Sequence, residues 1–190
     1  MRALRYLAAL GGVVVIAWTL QARAADTSAL EKIAGSWDSE CVERGCLIYR
    51  TVGLREDRAF IAEFAVEKGT QNVVQVTFYI SPTVDVSKGF TLAFTNTSPK
   101  DGSFDVKLDE SLTRVIPVGD CDKDACLARV EGGLVRQEGR PDLDLREQFL
   151  KRSLFIGGFW DGGEFRSSST ALFAFVRDYD AMLIKLRKLP

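Results

Sequence analysis

The chain contains no histidine among its 190 residues. That absence removes Ser-His-Asp and Cys-His catalysis, Cys₂His₂ zinc binding and histidine-based pH switching together. Carboxylate, lysine and tyrosine chemistry survive it, so catalysis is narrowed rather than excluded. A positive excess is missing as well, since 25 lysines and arginines face 26 acids. Without a basic stripe, nucleic acid is not an expected partner. No apolar run reaches the roughly 20 residues that span a bilayer. Internal repeats, low-complexity tracts and linkers are absent too, so the length is that of one ordinary domain able to bury a core.

What is present begins with the first 24 residues. Met1 to Arg5 carries two arginines and no acid, and Leu7 to Leu20 is mostly apolar. Ala22-Arg23-Ala24 then offers small side chains at the two positions a signal peptidase reads. The segment 1–24 is expected to be a secretory signal cleaved after Ala24, with Ala25 the near alternative, leaving 25–190 as a single β-rich domain. The first cysteine is Cys41, so no lipid attachment at the cut is expected, nor a stable membrane anchor after cleavage. The leader holds Arg2, Arg5 and Arg23 and no acid; losing these three charges takes the net value from −1 to −4. A periplasmic or secreted bacterial location follows from this reading.

Four cysteines fall in two pairs of equal spacing, Cys41 with Cys46 and Cys121 with Cys126. In an exported chain an even count reads as disulfides, and four cysteines allow three connectivities. Local pairing is expected, because each pair would close one small polar loop. A redox-active or metal-binding thiol set is the alternative, but neither pair is C-x-x-C and no histidine can complete a mixed site.

The rest of the chain has mostly the rhythm of strands. Phe60, Ala62, Phe64 and Val66 alternate with Ile61, Glu63 and Ala65; Val74, Val76, Phe78 and Ile80 alternate with Val73, Gln75, Thr77 and Tyr79; Phe90, Leu92 and Phe94 alternate with Thr91, Ala93 and Thr95. Period-two patterns bounded by turn-forming residues are those of half-buried antiparallel strands. Shorter candidates are Cys46 to Val52, Phe104 to Leu108, Arg114 to Val118 and Cys126 to Glu131. Asp161-Gly162-Gly163-Glu164 between two such runs signals a hairpin. Helical spacing is limited to a short piece opening at Thr27, to Asp142–Arg152, and to Val176–Lys188 with an apolar stripe of Val176, Tyr179, Met182, Leu183 and Leu186. The expected fold is mainly β, an antiparallel sandwich-like single domain with two or three short helices, one of them C-terminal.

Four motifs invite chemistry. Asp120, Asp122, Asp124 and Glu131 match acidic positions of a calcium loop, yet Ala125 stands where glycine makes the sharp turn, and Cys121 and Cys126 interrupt the frame. A solvated, disulfide-fixed loop is expected and no metal is assigned. Phe155, Phe159 and Trp160 suit either a binding surface or a strand covered on both faces, and core packing is the favoured reading. Ser167, Ser168, Ser169 and Thr170 lack a nucleophile context and read as the polar edge of the second hairpin strand. Asp161 and Glu164 flank a turn and read as solvated. The C-terminal stripe is read as docking on the sheet rather than lying on a membrane.

These residues bear a resemblance to one family. Trp37 to Cys41 is similar to the opening tryptophan and cysteine of the invasion-associated locus B family of exported bacterial proteins. Pro82, Val84, Gly89 and Leu92 fit its proline-valine-glycine-leucine segment. Cys121 to Ala128 is similar to its second cysteine pair followed by alanine, and Phe175 to Leu183 resembles its terminal helix. Ala125 replaces the family's usual glycine before Cys126, and the glycine-phenylalanine that usually opens its last helix is missing. The resemblance implies a sandwich-like periplasmic or secreted domain, associated in some pathogens with host-cell entry, and carries over no catalytic residue. The expected function is a non-enzymatic binding protein, without cofactor, engaging an unknown protein or envelope component. The alternatives are a small-ligand-binding β domain and, last, a carboxylate-dependent hydrolase.

Overall fold

A computed structural model describes residues 36–53, 56–95 and 110–190. The expected signal 1–24, the helix opening at Thr27 and the strand candidate Phe104 to Leu108 lie outside the described residues. Four strands form a meander: β1 (Asp38–Val42), β2 (Gly45–Val52), β3 (Phe60–Glu67) and β4 (Val73–Ile80), each antiparallel to the next. A second group is β5 (Phe90–Thr95), β6 (Arg114–Ile116), β7 (Val118–Gly119) and β8 (Cys126–Glu131). Then come the short pair β9 (Leu134–Val135) and β10 (Leu143–Asp144), helix α1 (Leu145–Lys151), the hairpin β11 (Leu154–Asp161) and β12 (Glu164–Ala171), and helix α2 (Phe173–Arg187). The strands sort into a six-stranded sheet, β1-β2-β3-β4-β8-β7, and a four-stranded sheet, β12-β11-β5-β6. The fold is thus mainly β, antiparallel and sandwich-like, with two α-helices among the described residues.

Alternation decides which side chains face inward. On β3, Phe60, Ala62, Phe64 and Val66 are buried while Ile61, Glu63 and Ala65 are half-exposed. Strand β4 departs from the strict pattern. The register skips one residue opposite Ala65 and Val66, so Ala65 faces Gln75 and Val66 faces Val73. This bulge turns Val73 into the core and leaves Val74 43% exposed, the reverse of what the uninterrupted alternation gives.

The stretch expected as one strand from Arg114 to Val118 is two. Pro117 separates them, β6 pairing with β5 and β7 with β8, so the chain changes sheets there. Proline offers no N–H to continue a ladder, which makes it a natural place for the switch.

The space between the sheets is filled by aromatic rings. Phe60, Phe78, Phe90, Phe94, Phe149, Phe155 and Phe159 are buried, and neighbouring centroids lie 4.7 Å apart for Phe78 and Phe90 and 4.8 Å for Phe149 and Phe155. A second cluster joins through Phe149: Phe64 at 4.7 Å, Phe175 at 5.1 Å and Trp37 at 5.8 Å. Gly157 admits this packing. A Cβ there would come within 2.3 Å of the Phe60 ring and 2.7 Å of the Phe90 ring.

Both helices start at places worth noting. Leu143 and Asp144 pair with Val135 and Leu134, so α1 begins only at Leu145, with the Asp144 carboxylate accepting the Glu147 N–H at 3.0 Å. Helix α2 begins three residues earlier than its stripe indicates. Its buried residues are Ala174, Phe175, Tyr179, Met182 and Leu186, with Val176 and Leu183 only partly covered. The helix is fixed to the start of β1 by the Trp37 N–H, which donates to the Asp178 carboxylate at 2.7 Å. It therefore docks against the sheet, and no helix among the described residues is long and apolar enough to cross a membrane.

Candidate functional site

The outward face of the six-stranded sheet carries an interdependent set of polar groups. Pairing sets Asp38, Tyr49, Glu63, Thr77 and Arg129 in one row across β1, β2, β3, β4 and β8. The next row holds Glu40, Leu47, Ala65, Gln75 and Glu131; the row on the other side holds Thr51, Ile61, Tyr79 and Leu127. Diagonal neighbours on such a face are within reach of long side chains. The Tyr79 hydroxyl donates to Glu63 Oε1 at 3.0 Å and the Tyr49 hydroxyl to Glu40 Oε1 at 3.0 Å. Gln75 Nε2 donates to Thr77 Oγ1 at 3.2 Å, and Arg129 pairs with Asp120 at the rim.

Crowding perturbs Glu63 and the two phenols. Burial raises the pKa of Glu63, and nearby Glu40 adds to it, against the opposing bond from Tyr79. Tyr49 is pushed up to about 12, first by burial and then by its bond to Glu40 and the charges of Glu40, Asp38 and Glu63. Tyr79 is raised by burial and by Glu63. Both phenols thus stay protonated as donors through the physiological range. The result is a surface of two tyrosines and several carboxylates with a negative bias, able to accept hydrogen bonds from a partner's amines and hydroxyls.

The residues singled out in the sequence fall elsewhere. Cys41 bonds to Cys46 directly across the β1–β2 ladder, and Cys121 bonds to Cys126 across the loop into β8, each with a Cα separation of 4.0 Å. Both bridges are local, as the spacing indicates. They sit at opposite ends of the sheet, Cys46 beside Val66 and Cys126 beside Ile80. Within the acidic loop the Asp122 carboxylate accepts the N–H groups of Asp124 at 2.8 Å and Ala125 at 2.9 Å, which hold its pKa low. Asp120 turns away with φ of 46° to meet Arg129. Among the described residues no three acidic or cysteine side chains are gathered as a metal site.

Strand β11 divides its aromatics. Phe155 and Phe159 are fully buried, while Trp160 is half-exposed on the opposite face beside Phe165, 5.5 Å between centroids, with Lys88 Nζ 4.0 Å above its ring. Asp161 lies 3.6 Å from Arg166, and Ser167 to Thr170 lie on β12, an edge strand. An open cleft of about 200 Å³ is lined by Pro117, Glu131, Leu134 and Arg136 among others, below the roughly 300–1,000 Å³ of small-molecule sites.

Sequence reasoning passed over Glu63, Tyr49 and Tyr79. A glutamate amid the apolar residues of β3 was a visible signal, but only the register across three strands brings the tyrosines to it. Comparison with protein-family models, with curated proteins and with solved structures finds no match.

Proposed function

We propose that this chain is an exported, non-enzymatic binding protein of the invasion-associated locus B type, engaging a protein or envelope component through the outer face of its six-stranded sheet. One observation carries the reading. The place where a ligand-binding sandwich would hold its cavity is occupied by rings in mutual contact, so recognition falls to the surface. Two disulfides suit an oxidising compartment, in keeping with a periplasmic or secreted location. The face offers two phenol oxygens as acceptors, exposed Asp38 and Glu40, and the half-buried Glu63, a composition suited to a partner presenting ammonium or hydroxyl groups.

A photo-crosslinking phenylalanine derivative in place of Tyr49 tests this. In envelope and host-surface extracts it should form a discrete adduct that is lost when Glu40 and Asp38 are both changed to Lys. The same probe at exposed Glu138 should give no such adduct. An adduct indifferent to the charge reversal, or no adduct from Tyr49 at all, would remove this face from the binding function.

A further inference from the structure

The edges of the two sheets are not equally protected. Strand β1 is short, carries Asp38 and Glu40, and is locked to β2 by the Cys41–Cys46 bridge. Strand β7 has two residues, and β6 has three and stops at Pro117. Strand β12 runs for eight residues with no proline, no lysine and no bulge. Arg166 is already engaged by Asp57 at 3.1 Å and Asp161 at 3.6 Å. Natural proteins blunt long sheet edges unless the edge is used.

The hairpin turn settles which groups that edge presents. Gly162 and Gly163, with φ of 58° and 84°, make a two-residue turn closed by the pair Asp161 and Glu164. Antiparallel pairs alternate between hydrogen-bonded and non-hydrogen-bonded, so the bonded pairs are those of Glu164, Arg166, Ser168 and Thr170. The main-chain groups of Phe165, Ser167, Ser169 and Ala171 therefore point away from β11. The side chains of Phe165, Ser167 and Ser169 are exposed.

We infer that β12 pairs antiparallel with β12 of a second copy of this chain about a two-fold axis near Ser168, joining two four-stranded sheets into one of eight strands. Three features make the edge complementary to itself, as an isologous contact requires. The residues facing one another across the axis, Ser167 and Ser169, are small and exposed. Phe165, 46% exposed, comes against Ala171 of the other copy and toward its Phe173, 73% exposed. Glu164 comes opposite Leu172 of the other copy, where α2 begins with no side-chain cap and no acid in its first turn. A carboxylate there meets the positive end of the helix dipole and its free N–H groups.

Sedimentation equilibrium of the purified, oxidised protein should report twice the chain mass. Ser167→Pro removes only an outward N–H, so it should leave the circular dichroism and melting of the monomer unchanged while abolishing the dimer. Glu164→Lys, on an exposed turn position, should weaken association at least tenfold, and Phe165→Ser likewise. A protein monomeric at every concentration to several hundred micromolar would overturn the inference. So would a dimer indifferent to both Ser167→Pro and Glu164→Lys, and two variants keep the test open if either misfolds.

Discussion

Glu63 shows how a single side chain answers to neighbours on other strands. Its pKa is raised above the ordinary 4.5, chiefly by burial. Below that value folded and unfolded chains both hold the proton. As pH climbs from 4.5 through the raised folded value, the unfolded chain gives up its proton first, so stability falls. Glu63→Gln abolishes the titration and keeps an oxygen for the Tyr79 hydroxyl. The variant should unfold at higher urea than the parent near pH 8, with the difference closing toward pH 4. A constant gap would show that hydrogen bonding, not charge burial, governs this position. The inward residues of β3 were legible from alternation alone. The Glu63–Tyr79 and Glu40–Tyr49 bonds were not, because a period of two gives a face but not the neighbour opposite.

Element boundaries failed where their signals are local and weak. Helix α2 starts at Phe173 without a capping side chain, since Leu172 occupies that position, so the sequence offers nothing to mark the start or to place Phe175 in the core. The bulge that exchanges Val73 for Val74 arises from pairing between two strands and leaves no trace in either one. The hairpin at Gly162-Gly163, by contrast, was evident because both positions take positive φ. The bridges belong to this scale too. Each joins cysteines five apart, so each constrains only a short stretch of the unfolded chain. Replacing Cys121 and Cys126 together by serine should cost about 2 kcal/mol in chemical denaturation and leave a folded protein. Complete loss of cooperative unfolding would give that bridge a far larger role than loop closure.

For the molecule as a whole, the period-two segments foretold an antiparallel β fold, but not which strand joins which sheet. The separation of β6 from β7 at Pro117, and the partnership of β5 with β11 some sixty residues later, are decided by packing. Phe149 is where the packing converges, its ring centroid within 5.8 Å of those of Trp37, Phe64, Phe94, Phe155 and Phe175. Phe149→Ala should therefore cost roughly 3–5 kcal/mol, a large part of the stability of an ordinary domain. Calorimetry reads this directly; a loss below about 1 kcal/mol would mean the two aromatic clusters do not depend on the ring that joins them.

The clasp between the Trp37 N–H and Asp178 joins residues 141 positions apart. The meander of β1 to β4 is built from successive hairpins and can assemble as soon as its strands are made. Its inward face, with Ile48 and Phe64, gains its helical cover only when Phe149 and Phe175 arrive. While the chain folds, then, an early-formed sheet waits with its most apolar surface open until α1 and α2 have docked. That interval is when the chain is most prone to stick to others of its kind, and when a chaperone holding the meander has the most to protect.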